Sequence, residues 1–386
     1  MPIGRCPNSN VERTRPECAP RVASAGILTP MRVAIPGHYA SVLGGIGTYA
    51  ALLTEAVVAS APNGGSVIAP QPREPDSVGQ IASPGGGLRR MVWEQLALPR
   101  KVKPADVVHL CDSRRLLLSR RPFVATIHDV SYLERPEWFP RSAARYKTMM
   151  LDALLAGRPS ALVFDSIYGR DELLRFRPRA ARFDLRVVRP GLRPPLAENP
   201  SPTDNGAEAR GQGEPYFLSV GVIEPRKNHL TLLRAFRAAR AAGLPLRWRV
   251  VGPPGHLSAP ILGALNAEPA VDVLGWVDQR TLERCYRDAM FLTAPSILEG
   301  FGFPPLEAMA RGVPVACSRG GVWDETVGDA ALRPEATDVA EWTEALLTLS
   351  SDEELRSDLR ARGFAASAAA SWEEAATACW RIYSAL

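Results

Sequence analysis

The sequence predicts two α/β domains, each built on a parallel sheet with helices on both faces. Short apolar runs alternate with helical patterns through both halves of the chain, a pattern typical of parallel sheets covered by helices. A polar stretch rich in Pro and Gly, residues 199–214, separates the halves and is expected to be a linker. The chain has 386 residues, which is long enough for two cores of ordinary size.

The first half starts its pattern at Met31. Residues 31–36 are predicted to form a strand, and residues 44–60 a helix after a loop. Further apolar runs are expected to be buried parallel strands, at residues 107–110, 123–127 and 161–164. Asp165 and Ser166 then form a plausible pair of helix N-cap residues before residues 170–176.

The second half repeats the alternation. Strands are predicted at residues 216–220, 248–251, 291–294 and 313–317, and helices at residues 230–242, 282–289 and 304–311. Ligands of open α/β sheets bind outside the carboxyl ends of the strands. Two such units joined by a linker therefore predict a ligand cleft between them.

Composition narrows the class of protein. Hydrophobic residues make up 46% of the chain and charged residues 23%, as in a globular protein. No run of 18 or more apolar residues occurs, so we expect no transmembrane helix. Residues 1–30 lack the apolar core of a secretory signal and are expected to form a disordered tail. The six cysteines show no zinc or redox pairing, which favours a reducing cytoplasm.

Charge is distributed unevenly. Residues 1–200 hold 28 Lys and Arg against 17 Asp and Glu, whereas the whole chain has a net charge of only +5. The basic half favours contact with an anionic membrane surface or an anionic acceptor, and it is equally consistent with an arginine-rich solvated surface. Residues 89–103 have an amphipathic, basic character, but Pro99 interrupts them, so packing explains them as well as membrane binding does. No nucleic-acid partner is expected.

The most informative segment is residues 295–307, in which Glu299 and Glu307 flank a glycine-rich turn. Gly300 and Gly302 permit backbone conformations and close ligand approach that other residues resist. The proline pair at residues 304–305 suits a first helical turn, and free amides at a helix start suit phosphate. Because a carboxylate accepts hydrogen bonds from sugar hydroxyls, the segment is interpreted as a clamp for a sugar nucleotide.

Other candidate site residues follow predicted strands. Arg226 and Lys227 are adjacent cations that could stabilise charge on a departing nucleotide diphosphate. His128 should emerge at a strand's carboxyl end, and Gly45 lies in a glycine-rich turn that could approach a diphosphate or an acceptor. Taken alone, an Arg-Lys pair is usually solvated surface and a lone histidine is usually structural. The glutamate segment downstream favours the functional interpretation.

Residues 295–307 resemble the paired-glutamate signature of the retaining glycosyltransferases of family 4. Four further segments resemble the family in the expected order, namely residues 44–47, 126–129, 217–228 and 273–290. The resemblance runs from about residue 31 to the C-terminus. It implies the GT-B fold, in which two Rossmann-like domains face each other across a cleft.

The domains implied are an acceptor-side domain at residues 31–198 and a nucleotide-sugar domain at residues 215–370. Residues 371–386 are implied to form a helix that crosses back to the first domain. By resemblance, the catalytic group is His128, Glu299, Arg226 and Lys227. The donor-binding group is Gly45, Arg226, Lys227, Glu299, Gly300, Phe301, Gly302, Phe303, Leu306 and Glu307.

The resemblance also implies roles for the two glutamates. Glu307 would accept hydrogen bonds from the ribose hydroxyls, and Glu299 would lie near the donor sugar as an electrostatic and positioning group. A diphosphate held by Arg226, Lys227 and helix amides needs no metal. We therefore expect no metal and no cofactor beyond the nucleotide-sugar substrate.

The expected function is a cytoplasmic, retaining hexosyltransferase that is also peripheral at the membrane if the basic half contacts lipid. Mannose from GDP-mannose is the first expectation, because the patterns resemble bacterial mannosyltransferases; glucose, N-acetylglucosamine and rhamnose stay open. The acceptor is a glycan, a lipid-linked sugar or a small molecule. A nicotinamide oxidoreductase would need a Gly-x-Gly-x-x-Gly spacing that residues 44–47 lack. A non-catalytic relative would typically lose Arg226, Lys227 or a motif glutamate, and all are present.

Overall fold

The computed structural model describes residues 31–36, 45–62, 66–68, 92, 94–196 and 214–386. The expected N-terminal tail and residues 199–213 of the expected linker lie outside these ranges. The described residues form two separate parallel sheets with helices packed on them. The α/β class predicted from the alternation of strands and helices is confirmed.

The first sheet has the strand order β2-β1-β3-β4-β5-β6, with every neighbouring pair parallel. Its strands are β1 (Arg32–Ala34), β2 (Ser66–Ile68), β3 (Val107–Leu110), β4 (Phe123–Ile127), β5 (Ala161–Phe164) and β6 (Leu185–Val187). The helices of this half are α1 (Gly45–Ala59), α2 (Leu98–Lys101), α3 (Ser131–Glu134), α4 (Arg141–Ala156) and α5 (Ile167–Phe176).

The second sheet has the strand order β11-β10-β7-β8-β9, also parallel throughout. Its strands are β7 (Tyr216–Val220), β8 (Arg247–Val251), β9 (Val271–Gly275), β10 (Leu292–Ala294) and β11 (Val315–Cys317). The helices that follow are α6 (His229–Ala241), α7 (Ser258–Asn266), α8 (Gln279–Arg287), α9 (Phe303–Met309), α10 (Val322–Thr326), α11 (Val339–Ser351), α12 (Glu353–Ala368) and α13 (Trp372–Ser384).

The topology of the second sheet fixes the position of its ligand crevice. From β7 the chain proceeds to β8 and β9 on one side, then returns to place β10 and β11 on the other. The order of successive strands therefore reverses direction across the sheet between β7 and β10, and such a switch point opens a crevice at the carboxyl ends of the two strands. The loop after β7 carries Arg226 and Lys227, and the loop after β10 carries Glu299.

The last helix, α13, packs on helix α1 of the first half. Cys379, Trp380 and Tyr383 belong to the same apolar cluster as Val57, and the Trp380 indole donates to the Val57 carbonyl at 3.0 Å. The His109 imidazole contacts the Tyr383 hydroxyl at 2.5 Å. Burial lowers the pKa of His109 to about 3, so this imidazole is neutral at physiological pH. The network ties the chain's last helix to strand β3.

Local signals explain several helix starts. Ser166 is the N-cap of α5, where its hydroxyl accepts a hydrogen bond from the Gly169 amide at 2.9 Å, as predicted. Helix α5 begins at Ile167, three residues earlier than the predicted helix.

In the described parts of the chain, no helix combines the length and the apolar composition needed to cross a bilayer.

Candidate functional site

Glu299 lies between two cations at the switch point of the second sheet. Its two carboxylate oxygens accept hydrogen bonds from Arg226 Nη1 and Lys227 Nζ, both at 2.5 Å. Burial would raise the pKa of Glu299, but the two neighbouring cations outweigh it and lower the pKa to about 2. Glu299 is therefore a fixed negative charge throughout the physiological pH range.

A short turn presents the two cations. Residues Pro225–Lys227 form one 3₁₀ turn directly after the strand-end loop of β7. Asn228 closes the turn in the left-handed conformation, with φ of 55°, and its side-chain amide donates to the Ala336 carbonyl at 2.6 Å. The Arg226 guanidinium also bonds Glu224 at 2.8 Å and the Leu298 carbonyl at 3.1 Å. Backbone and side-chain bonds thus fix Arg226 before any ligand binds.

Helix α9 starts from an obligatory glycine. Gly302 has φ of 92°, and a Cβ at this position would lie 2.1 Å from the Trp323 ring. The helix begins at Phe303, one residue before the predicted start, and ends at Met309, two residues before the predicted end. The Pro304-Pro305 pair occupies its first turn, as predicted.

A tyrosine orients the carboxylate of Glu307, which lies in helix α9. The Glu307 side chain is buried, and its carboxylate accepts a hydrogen bond from the Tyr286 hydroxyl at 2.9 Å. Burial and the nearby Glu307 carboxylate raise the pKa of Tyr286, so the hydroxyl keeps its proton. The geometry leaves Glu307 as an oriented acceptor on the second domain.

His128 follows β4 and has both ring nitrogens occupied. Its Nδ1 lies 2.6 Å from an Asp165 carboxylate oxygen and its Nε2 lies 3.1 Å from the Cys111 carbonyl. Both partners are acceptors, so both nitrogens must carry protons. Burial lowers the pKa of His128, but Asp165 outweighs it and raises the pKa to about 9. The ring is an imidazolium with no free nitrogen, which suits electrostatic stabilisation and positioning but not general-base catalysis.

The two domains meet where the glutamate turn contacts the end of β4. A Cβ on Gly300 would lie 2.1 Å from the His128 carbonyl oxygen, so glycine is required for this approach. The Ser166 hydroxyl donates to the Gly300 carbonyl at 2.9 Å. These contacts join the end of β4 to the glutamate turn, and His128 itself lines neither of the two pockets beside Glu299.

Two pockets adjoin Glu299. The cleft pocket, of about 320 Å³, lies between the domains and is lined by Asp129, Val130, Ser131, Glu134, Tyr168, Gly169, Glu172, Arg226, Leu298, Glu299 and Gly300. The strand-end pocket, of about 270 Å³, lies at the switch point and is lined by Ser219, Val220, Lys227, His229, residues 293–296, Glu299, Pro304, Pro305 and Trp323. Glu299 lines both, whereas Arg226 faces the cleft pocket and Lys227 the strand-end pocket.

Other predicted donor-binding residues take different positions. Phe301 and Leu306 are buried in the apolar core of the second sheet, and Phe303 packs against Phe301 with ring centroids 5.0 Å apart. Gly45 is exposed at the start of α1, with no atom within 4 Å of the position a Cβ would occupy. None of these four residues lines either pocket. Their predicted contacts with the donor stay predictions.

Four residues with functional positions were not predicted as site residues. Asp165 holds His128, Tyr286 holds Glu307, and Glu325 accepts hydrogen bonds from the first two amides of α5 at 3.0 Å across the domain boundary. His229 is buried beside the strand-end pocket, where its Nδ1 has no hydrogen-bond partner. Burial and the adjacent Lys227 lower its pKa to about 3, so it is neutral. Of these four residues, only Asp165 could be noticed in the sequence, because it directly follows an apolar strand. The sequence analysis interpreted it as a helix N-cap residue.

Within the described ranges, no group of three or more His, Cys, Asp or Glu side chains is arranged to hold a metal ion. The expectation of metal-independent chemistry remains a prediction, because only turnover under chelation tests it.

Comparisons with known proteins agree with this geometry. The family model described as "Glycosyl transferases group 1" matches residues 201–365. The chain is 32% identical over 272 residues to the O-antigen chain mannosyltransferase B of Escherichia coli, covering 67% of this chain and 69% of that protein. It is also 32% identical over 184 residues to the D-inositol 3-phosphate glycosyltransferase of Nocardia farcinica, covering 45% of this chain and 41% of that protein.

A solved structure supports the fold. The sucrose-phosphate synthase of Thermosynechococcus elongatus superposes with a TM-score of 0.70 at 20% identity, covering 92% of this chain and 98% of that chain. At this identity the likeness concerns the fold alone. Together with the two parallel sheets on either side of a cleft, it confirms the GT-B fold predicted from the sequence.

Proposed function

The chain belongs to the group 1 glycosyl transferases, and we propose that it transfers mannose from GDP-mannose to a hydroxyl acceptor with retention of the anomeric configuration. Glycosyl transfer follows from the family, whereas the donor, the acceptor and the stereochemistry are the proposal. Mannose is favoured because the relative that shares two thirds of its length with this chain is named a mannosyltransferase. Membership of this family leaves no role for the nicotinamide oxidoreductase considered above.

One observation carries the proposal: Glu299 joins two pockets and is bonded to a different cation on each side. Lys227 faces the strand-end pocket at the switch point, where α/β sheets bind their ligands. We place the donor diphosphate there, with Lys227 stabilising the charge of the leaving group. The acceptor hydroxyl then approaches from the cleft pocket, on the opposite side of Glu299.

In the proposed reaction the bond from the sugar's C1 to the diphosphate breaks, and a bond from C1 to the acceptor oxygen forms on the same face. The departing phosphate oxygen takes the acceptor proton, so no protein base is required. Glu299, with its pKa lowered to about 2, remains ionised and stabilises positive charge that develops on the sugar ring. The His128 imidazolium contributes a fixed positive charge at the end of β4, beside the glutamate turn.

Glu307 is proposed to bind the ribose of the nucleotide. Its carboxylate is oriented by Tyr286 and lies eight residues after Glu299 along the chain. A carboxylate can accept hydrogen bonds from both hydroxyls of a diol, which matches the 2′ and 3′ positions of ribose. No metal is proposed, because Lys227 supplies the positive charge at the diphosphate.

Two acceptor classes are named among the relatives. One relative acts on an O-antigen chain by its name, and the other on D-inositol 3-phosphate. We propose a glycan acceptor, free or lipid-linked, for this chain. We also propose a cytoplasmic reaction with peripheral membrane contact, which the excess of cations in residues 1–200 supports. Cosedimentation with vesicles of anionic and of zwitterionic lipid tests the contact, because electrostatic binding requires the anionic lipid.

A screen of nucleotide sugars tests the proposed function without knowledge of the acceptor. Purified protein is incubated with GDP-mannose, UDP-glucose, UDP-N-acetylglucosamine and dTDP-rhamnose, and release of the nucleoside diphosphate is measured. GDP-mannose should be hydrolysed fastest, and the Glu299→Gln variant should be slow on the same donor. Faster release from another donor would replace mannose, and no release or binding with any donor would refute the proposal.

A further inference from the structure

The lining of the cleft pocket carries an excess of carboxylates. Asp129, Glu134, Glu172 and Glu299 all line it, and Arg226 is its cationic member in the described part of the chain. Tyr168 adds an aromatic wall, and Ser131 a hydroxyl. Carboxylates accept hydrogen bonds from hydroxyl groups and repel phosphate, so the lining distinguishes between ligand classes.

Arg226 is already paired with two carboxylates. Its Nε donates to Glu224 at 2.8 Å, and its Nη1 donates to Glu299 at 2.5 Å and to the Leu298 carbonyl at 3.1 Å. Its side chain is 19% exposed. A phosphate that enters the cleft pocket would have to compete with these two carboxylates for the guanidinium. Arg226 therefore balances only part of the negative charge of the lining.

Glu134 and Glu172 are lining carboxylates carried by helices α3 and α5 of the first domain. Arg175 bridges them, with its Nη2 3.0 Å from Glu134 and 2.5 Å from Glu172. Their side chains are 25% and 18% exposed, so each retains surface for a ligand. Arg175 does not line the pocket. Arg175 holds Glu134 and Glu172 from outside the pocket. The remaining lone pairs of both carboxylates can accept hydrogen bonds from hydroxyl groups.

We propose that the cleft pocket binds the acceptor as an uncharged sugar, through hydrogen bonds from its hydroxyls to Glu134 and Glu172, and that it discriminates against acceptors bearing a phosphate at this end. The inference rests on the proposed glycosyl transfer and adds the chemical class of the second substrate. It also disfavours the anionic acceptor that the basic first half of the sequence suggested. The cavity supports it by opening onto Glu299, which also lines the strand-end pocket.

Matched sugar pairs test this selectivity in the unmodified protein. The probes are methyl α-mannoside and its 6-phosphate, and myo-inositol and its 3-phosphate, each tested with the donor that the hydrolysis screen selects. Binding is followed by saturation-transfer NMR and transfer by product formation. Each uncharged probe that binds should bind at least about tenfold more tightly than its phosphate. Equal or tighter binding of the phosphorylated members, or no binding of any uncharged sugar, would overturn the inference.

Carboxylate variants locate the selectivity. Glu172→Gln and Glu134→Gln should each raise KM for the uncharged acceptor by about tenfold, because a hydrogen bond to a charged carboxylate becomes a weaker bond to a neutral amide oxygen. Donor hydrolysis by water is measured in parallel, so that weaker acceptor binding is distinguished from a loss of donor turnover. Glu137→Gln is the matched control, because Glu137 is 59% exposed and pairs only at the surface with Arg135. Normal acceptor kinetics in both variants would overturn the assignment.

Donor hydrolysis separates the two hypotheses. If no nucleotide sugar is bound or hydrolysed, the proposed function fails, and the acceptor pocket fails with it. If the donor is hydrolysed normally while phosphorylated acceptors are preferred, glycosyl transfer stands and the inferred acceptor class is wrong.

Discussion

The two pockets that meet at Glu299 differ in their charge and in the way they are built. The strand-end pocket lies at the switch point of one sheet, and Lys227 and the neutral His229 line it. The cleft pocket forms only where the two domains meet, and its lining includes three carboxylates besides Glu299. One pocket has the chemistry for a diphosphate and the other for hydroxyl groups. A single ionised carboxylate separates them, at the position where a sugar would pass from one to the other.

The difference between the two pockets also indicates which domains are needed to bind each substrate. The strand-end pocket is built from one domain, so donor binding should need only the second sheet and its loops. The cleft pocket requires Tyr168 and Glu172 from α5 together with Arg226 from the other domain. Acceptor binding should therefore depend on the interdomain contacts, such as those of Gly300 with His128 and of Glu325 with the start of α5.

Removal of the strand-end cation should have the largest effect. Lys227→Ala should lower donor turnover by about 10²–10³-fold, because charge on the leaving diphosphate loses its stabilising group. Steady-state hydrolysis of the donor measures it, with circular dichroism to verify folding. Lys103→Ala is the matched control, since Lys103 is exposed and lines neither pocket. Nearly normal turnover in a folded Lys227→Ala protein would contradict the assignment of the diphosphate to the strand-end pocket.

The two glutamates should separate binding from chemistry. Glu299→Gln should chiefly lower kcat, by about 10²-fold, because its charge acts on the transition state. Glu307→Gln should chiefly raise KM for the donor, because the ribose is bound alike before and during the reaction. Tyr286→Phe should resemble Glu307→Gln in a weaker form, since it removes only the hydrogen bond that orients Glu307. Donor-saturation kinetics distinguish the cases, and reversed phenotypes would exchange the two roles.

The Asp165 carboxylate should control how activity depends on pH, because it raises the pKa of His128. The pKa of His128 is raised to about 9, so its contribution to stability is complete below pH 6.5 and is lost as pH rises through 9. Asp165→Asn should lower that pKa and shift the alkaline limb of the activity profile to lower pH. It should also destabilise the protein by a few kcal/mol near pH 6, where the imidazolium has lost its partner. An unchanged alkaline limb would show that the His128 charge is irrelevant to turnover.

Removal of metal ions by a chelator should have the smallest effect, because we expect donor turnover to stay unchanged. Lys227 supplies the positive charge that a divalent cation supplies at other diphosphate sites, so donor turnover should persist in excess EDTA. The control is the same assay with added Mg²⁺ or Mn²⁺, which should not stimulate it. Abolition by EDTA with rescue by either ion would contradict a site built on side-chain cations.

The sequence was sufficient for the fold and insufficient for the partners that orient the candidate site, and the role predicted for Glu299 stays a prediction. Strands β3, β4 and β5 are continuous apolar runs, so their bounds were predicted correctly. Strand β9 mixes Asp272 and Gly275 with apolar residues at the sheet edge, and helix α4 has a largely charged exposed face, so neither gave a clear local signal. Local pattern identifies elements whose burial is complete and misses those that are half exposed.

The missed site residues have a common cause. The pairs Asp165–His128 and Tyr286–Glu307 join residues 37 and 21 positions apart, and Glu325 reaches α5 across 158 positions. No spacing rule connects such residues, because only tertiary packing brings them together, within a domain for the two pairs and between the domains for Glu325. The prediction that Arg226 and Lys227 hold one diphosphate stays a prediction. Both side chains bond to Glu299, and the two residues line different pockets.

The stereochemistry of the product tests the central claim most directly. The donor found in the hydrolysis screen is incubated with the acceptor that binds best, and proton NMR reports the anomeric signal of the new glycosidic bond as it forms. Retention, with the product's anomer matching that of the donor, is the expected result for wild-type protein and for every active variant. An inverted product would contradict same-face transfer beside Glu299.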